Sequence, residues 1–299
     1  MQFTIEYQQI SKFKPMKKIL ILACALFCSL TLCAQRPTAK AKQLPAFFAS
    51  TLYVVTNNNA LSEYNTAIKD AIQKNWRTTQ FDFITLAEFE VQRLDPTKSF
   101  LIYTETTFPK DKNPIAYDFV SIVLGGNYAT VEQMPEVCSF PICVSDSDGD
   151  EAYYKLPIII GFLNKHVKDM QTNAALLKDK KYAWHAKQSG NMAKKTLYLI
   201  ADEQLPECNT AQKLKAVYRG KTVFLAQEEL ANLIRKRAIN VAFLHKVAPI
   251  HAENEQGARC YIIFMGTDNA LYHFSYHTIS EKEGNGVTAK LWKTIAAKK

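Results

Sequence analysis

The chain has 299 residues, 47% of them hydrophobic and 22% charged, with a formal net charge of +9. That balance excludes an intrinsically disordered chain, and the length suits one large or two small domains. The basic charge comes without an arginine-rich arm or a nucleic-acid motif, so nucleic acid is not expected as a partner; solubility or contact with lipid headgroups and acidic glycans accounts for it.

Met16-Lys17-Lys18 followed by the apolar run Ile19 to Leu32 reads as an export signal, with Ala34-Gln35 as its cleavage point. The run is shorter than the roughly 20 residues that span a bilayer, so no transmembrane span is expected after cleavage. Residues 1–34 are therefore assigned to a signal peptide whose true start is Met16, and the protein to the periplasm or cell envelope of a bacterium. Cys33 offers a lipid-anchored alternative, weakened by the bulky Leu32 before it. Cleavage removes four lysines and one glutamate and lowers the formal +9 by three, to +6. Residues 35–43, polar and basic around Pro37, read as a flexible linker.

A first α/β module is expected over 44–126. Strand 52–56 leads through the Asn57-Asn58-Asn59 turn to a helix capped by Ser62, with Ala67, Ile68, Ala71, Ile72 and Trp76 on its inner face. Strand 81–84 follows, and Thr85 with Glu88 forms a capping box that opens a second helix carrying Leu86, Phe89 and Leu94, stopped by Asp95-Pro96. Strands 99–104 and 117–124 close the module at Gly125-Gly126, giving the order β-α-β-α-β-β and a mixed sheet.

Residues 127–194 form the expected connector, a β-hairpin of 142–145 with 152–156 and then one long amphipathic helix striped by Ile159, Leu163, Val167, Met170, Ala174 and Leu177 up to Ser189-Gly190. A second module over 195–299 repeats the first: strands 196–200, 222–225, 240–245, 259–265 and 271–278, helices near 211–218 and 227–236, and a C-terminal helix with Val287, Leu291 and Ile295 on one side.

The repetition shows in the letters. Thr51-Leu52-Tyr53-Val54-Val55 returns as Thr196-Leu197-Tyr198-Leu199-Ile200, and Asn65-Thr66-Ala67 as Asn209-Thr210-Ala211. Phe83 to Phe89 is answered by Phe224 to Leu230, and Phe100 to Tyr103 by Val241 to Leu244, with twelve residues from Glu88 to Phe100 and from Glu229 to Val241. The fold expected is thus α/β, two tandem homologous modules with mixed sheets, packed as a pseudo-symmetric pair.

Site candidates are weak. Asp146, Asp148 and Asp150 alternate as calcium ligands do, but the loop departs from the EF-hand pattern and an Asp-Gly turn explains the same letters. His245, His251, His273 and His277 fall in the second module; His245 and His273 are the candidates for acid/base work, against ordinary strand histidines. Cys138, Cys143, Cys208 and Cys260 lie outside the leader and allow three pairings or four free thiols. Trp76, Trp184 and Trp292 with Tyr53, Tyr198, Tyr272 and Tyr276 suggest a sugar-stacking groove or simply core. Glu88 and Glu229 recur, but at a helix first turn the dipole accounts for them. There is no Gly-x-Ser-x-Gly, dinucleotide or Walker motif, and no cofactor is expected. The function that follows is a non-enzymatic envelope protein with a site for a partner protein, glycan or small ligand between the modules. The alternatives are an envelope-polymer hydrolase and a calcium-stabilised structural module.

Overall fold

The computed structural model describes residues 36–59, 62–145, 150–249 and 255–297. The signal-peptide reading, His251, Asp146 and Asp148 fall outside them; Asp150 opens a short helix. Among the described residues no helix is long and apolar enough to cross a membrane.

The protein is α/β, with two five-stranded mixed sheets. In the first, β1 (Leu52–Thr56), β2 (Phe81–Thr85), β3 (Ser99–Thr107), β4 (Ala116–Leu124) and β5 (Glu136–Val144) take the order β2-β1-β3-β4-β5. β1 is parallel to β2 and β3, while β4 and β5 are antiparallel. Helix α1 (Leu44–Ala49) precedes β1, α2 (Glu63–Asn75) joins β1 to β2, and α3 (Leu86–Gln92) joins β2 to β3. The Ser62 hydroxyl accepts from Asn65 N to cap α2, and the Thr85–Glu88 box caps α3 in both directions.

Two expectations are corrected here. Strand β5 extends the first sheet beyond 126, and no hairpin follows it: residues 152–156 lie in the helical segments α4 (Asp150–Tyr153) and the start of α5 (Leu156–Asp169), where Pro157 suits a first helical turn. Residues 37–39 are not a flexible linker. Glu136 N donates to Pro37 O and Ala39 N to Glu136 O, so the segment satisfies the outer edge of β5 and buries Ala39.

The long connector helix is also broken. α5 ends near Met170, a 3₁₀ turn spans Ala174–Lys178, and α6 (Ala183–Gln188) starts afresh. The Asp179 carboxylate accepts from Ala183 N and Trp184 N, an N-terminal cap that favours a new helix over continuation of the old one. The apolar stripe still points inward: Ile159, Leu163, Val167, Met170 and Leu177 are buried.

In the second sheet, β6 (Thr196–Leu199), β7 (Lys221–Phe224), β8 (Val241–Val247), β9 (Arg259–Gly266) and β10 (Leu271–Thr278) take the order β10-β9-β8-β6-β7, again with two parallel pairings and two antiparallel ones. Helix α7 (Ala211–Leu214) joins β6 to β7, α8 (Gln227–Arg235) joins β7 to β8, and α9 (Ala289–Ala296) closes the described chain. The third strands sit differently from the letter match. Phe100 lies beside Tyr53, but it is Phe243, two residues past the letter match Val241, that lies beside Tyr198. A slip of two leaves every side chain on its face.

The largest core runs between the sheets. It joins Leu52, Val54 and Ile68 of the first half, Ile159, Leu163 and Val167 of α5, and Leu230, Phe243 and Ile263 of the second half. A second core, with Leu197, Leu199, Tyr218 and Trp292, lies on the far face of the second sheet, and a third, with Ile84, Phe89 and Phe100, on the far face of the first. The topologically equivalent residues Leu52 and Leu197 therefore face opposite ways, one into the shared core and one away from it. A pseudo-symmetric pair would bring like faces together, and this packing is front to back. The reason is in the filling: α2 and α5 cover the inner face of the first sheet, whereas α8 covers the inner face of the second.

Candidate functional site

A cleft of about 200 Å³ opens in the seam between the halves. The first sheet contributes Phe108, Phe119, Ser121 and residues 136–139, the connector Leu177, Lys180, Lys181 and Tyr182, and the second sheet Arg259, Tyr261, Phe274 and Tyr276.

The wall is held rigidly. Arg259 makes a two-pronged ion pair with Asp111 at 2.6 and 2.9 Å, and its guanidinium lies 3.5 Å from the Phe108 ring centroid and 4.7 Å from that of Tyr276. Arg259 N donates to the Tyr117 hydroxyl at 2.7 Å, and that hydroxyl donates to Arg259 O at 2.9 Å, so β4 is laced to β9. Behind this, Asn113 N donates to Gly257 O; Gly257 has φ of +86°, and a Cβ there would come within 3.0 Å of Asn113 N.

The cleft is cationic as well as aromatic. Its carboxylates are spoken for, Glu136 by Lys180 at 2.9 Å and Asp179 by the α6 cap. Among the described residues Arg36 and Lys181 form no ion pair: Arg36 donates to Val131 O and Thr104 Oγ1, and Lys181 sits 4.8 Å from the Tyr276 ring centroid. Burial lowers the Arg36 pKa, so an anion arriving there would relieve a partly desolvated charge.

One lining residue begins a buried chain that sequence reasoning missed. His166 Nδ1 lies 2.8 Å from His185 Nε2, and His185 Nδ1 lies 3.8 Å from Asp169 Oδ2. The carboxylate favours a proton on His185 Nδ1, which makes His185 Nε2 the acceptor and His166 Nδ1 the donor. His166 Nε2 is then a lone pair. Burial lowers both pKa values, that of His185 to about 4, so the pair is neutral at pH 7. The signal was present as His166 and Asp169 on one helix, three residues apart.

The predicted histidines do not converge. His245 sits on β8 facing the shared core, with Nε2 2.9 Å from Pro141 O; His273 on β10 lies opposite Phe264, whose side chain belongs to the far core, and bonds Ser275 Oγ at 2.7 Å. β9 separates their strands and the sheet separates their faces, so they share no pocket. His277 bonds Gly284 O at 3.0 Å. Burial pushes the His245 pKa down to about 3.

The four cysteines of the described residues are buried thiols outside any disulfide. Cys138 and Cys143 lie on one extended strand, roughly 16 Å apart at about 3.3 Å per residue, beyond disulfide reach. Burial raises the Cys260 pKa to about 12, an inert thiol. Trp76 and Trp292 are core, and of the suggested stacking aromatics only Tyr276 lines the cleft. Glu88 and Glu229 each accept from the backbone N–H of their helix N-cap residue, Thr85 and Ala226. Among the described residues no group of three or more His, Cys, Asp or Glu could hold a metal ion.

No family model matches the chain, and neither curated proteins nor solved structures include a match to it.

Proposed function

We propose that this is an exported, non-enzymatic binding protein of the bacterial cell envelope, and that its ligand is an acidic glycan unit held in the seam between the two halves. We read those halves as copies of one ancestral module, since their repeated letters coincide with equal strand orders. The observation that carries the reading is the cleft wall itself. Aromatic side chains from both sheets line the cleft together with Arg36 and Lys181, which make no ion pair among the described residues. A sugar ring stacks on such faces, and a carboxylate or sulfate on that ring satisfies the cations. The volume, about 200 Å³, suits one sugar residue of a longer chain. His166 Nε2 would accept from a ring hydroxyl.

The test is titration of the whole chain with uronic-acid oligosaccharides and their neutral counterparts. Acidic oligosaccharides should bind at least about tenfold more tightly, weaken with added salt, and weaken about tenfold again in Arg36→Ala with Lys181→Ala. Equal binding of neutral and acidic glycans, or binding of neither, would overturn the proposal. The hydrolase alternative lacks a convergent pair of groups at His245 and His273.

A further inference from the structure

A second cavity, of about 460 Å³, lies at the carboxyl ends of the parallel strands of the second sheet. Its position has a topological reason. From β6 the chain crosses through α7 to β7 on one side, then through α8 back past β6 to β8 on the other side. The loops leaving β6 and β8 therefore part, and such a switch point is where open α/β sheets leave a crevice for ligands. Ile200, Asp202 and Glu203 after β6, Val247 at the end of β8, and Ala248 and Pro249 after it line the crevice.

What faces the crevice is unusual for a protein interior. His245 is 1% exposed, and its Nε2 is committed as a donor to Pro141 O, so in the neutral ring Nδ1 is a lone pair. Among the described residues that Nδ1 has no hydrogen-bond partner. Asn285 is oriented in the same way: its Nδ2 donates to Pro249 O at 2.7 Å and to Glu255 Oε1 at 2.9 Å, which turns the amide so that Oδ1 is the free end. Oδ1 too is buried without a partner among the described residues. Two acceptors oriented by their own hydrogen bonds are thus left unsatisfied on residues that line one cavity, and each destabilises the fold unless a donor arrives.

Charge completes the description. Lys155, 4% exposed, enters from the connector and stands 3.6 Å from Glu203, longer than a close charge-assisted hydrogen bond. The lining carries two lysines, Lys155 and Lys246, against Asp202, Glu203 and Glu255. A site with both signs, close to electroneutral, and with spare acceptors calls for a ligand that brings N–H donors and a carboxylate of its own.

We infer that this crevice binds a small zwitterion of the α-amino-acid class, with its carboxylate on Lys155 and its ammonium on His245 Nδ1 and Asn285 Oδ1. The site is separate from the glycan cleft and does not depend on it. A neutral sugar would supply donors but leave the Lys155 ammonium without a new anion, and a simple carboxylic acid would leave both acceptors empty.

The experiment is calorimetric titration of the whole chain with each of the twenty L-α-amino acids, and for any that binds, with its methyl ester and its 2-hydroxy-acid analogue. At least one amino acid should bind, and loss of either charge should weaken binding about tenfold or more. Lys155→Met should abolish the preference for the free acid over the ester. Asn285→Ala leaves the Lys155–Glu203 pair in place and should weaken binding about fivefold or more, which keeps the test open should the Lys155 variant not fold. Failure of all twenty to bind, ester and hydroxy acid binding as tightly as the parent, or unchanged affinity in Asn285→Ala would each overturn the inference.

Discussion

The two sheets share one strand order, yet the crevices at their switch points are opposites. At the first, between β1 and β3, Asn65 is 2% exposed and closes the turn: its Oδ1 accepts from Asn57 N at 2.9 Å, and its Nδ2 donates to Asn57 O at 3.1 Å and Asn59 O at 2.7 Å. Tyr64 and Tyr103 pack with ring centroids 4.5 Å apart, Tyr153 lies beside Tyr64, and Tyr103 donates to Asp118, which also accepts from Ser145. At the second, the matching Asn209 is half-buried and among the described residues accepts from the Lys213 ammonium at 3.1 Å, and the strand ends border a cavity with Lys155, Glu203 and His245 on its wall. The same topology builds a plugged crevice once and an open one once. The two halves thus share a strand order and differ in what lines these strand ends.

Acid should expose that difference most strongly. The plugged crevice is closed by Asn and Tyr side chains, whereas the seam and the open crevice are held by neutral histidines. His185 and His245 have pKa values lowered to about 4 and about 3 by burial, the Lys155 ammonium adding to the effect on His245. Both would titrate near 6.5 in the unfolded chain. A lowered folded value means that unfolding takes up protons, so this stability is complete above about pH 6.5 and is lost as the pH falls toward those values. By pH 5 the two together should cost ~4 kcal/mol. Urea unfolding between pH 7 and 5 reads this directly, and His245→Gln, which keeps a donor for Pro141 O, should flatten the slope by about 1 kcal/mol per pH unit. An unchanged slope in the variant would mean His245 is not the group responsible.

Deleting the matched asparagines gives the next largest contrast. Asn65→Ala removes the partner of the Asn57 N–H and of the Asn57 and Asn59 carbonyls and opens the turn, and should cost roughly 2–3 kcal/mol in urea unfolding. Asn209→Ala loses one exposed contact to Lys213 and should stay within about 0.5 kcal/mol. Equal costs would dissolve the contrast between plugged and open crevices.

How much of this the sequence carried follows from whether each signal was local. Strand β1, helix α2 with its Ser62 cap and Trp76 end, the Thr85–Glu88 box and strand β10 were all legible, because a period of two or 3.6 and a cap lie within a few residues. Strand β5 was not legible as one element: Pro141 interrupts its apolar run, and only its place at the rim of the sheet, unknowable from letters, makes proline acceptable. The front-to-back packing was equally hidden, since Leu52 and Leu197 match as letters and yet face different cores. The cleft draws on several separated segments, so no spacing announces Arg36 beside Arg259. Of the named candidates, His245 does line a cavity, but its tautomer and its missing partner are tertiary facts.

The smallest effect tests whether the halves are interchangeable as scaffold. Helices α3 and α8 begin with the same backbone turn, and Glu88 and Glu229 reach back to the N-cap N–H at 2.7 and 3.0 Å. Only the first has the reciprocal bond, Glu88 N to Thr85 Oγ1 at 3.2 Å, because the second has Ala226 at the N-cap. Ala226 is exposed and its φ and ψ of −74° and 155° match the −77° and 163° of Thr85, so a threonine hydroxyl should find Glu229 N without strain. Ala226→Thr should therefore stabilise the protein by about 0.5–1 kcal/mol in urea unfolding, with Thr85→Ala costing a similar amount. A gain much smaller than the Thr85→Ala loss would show that the two helix starts differ in more than one side chain.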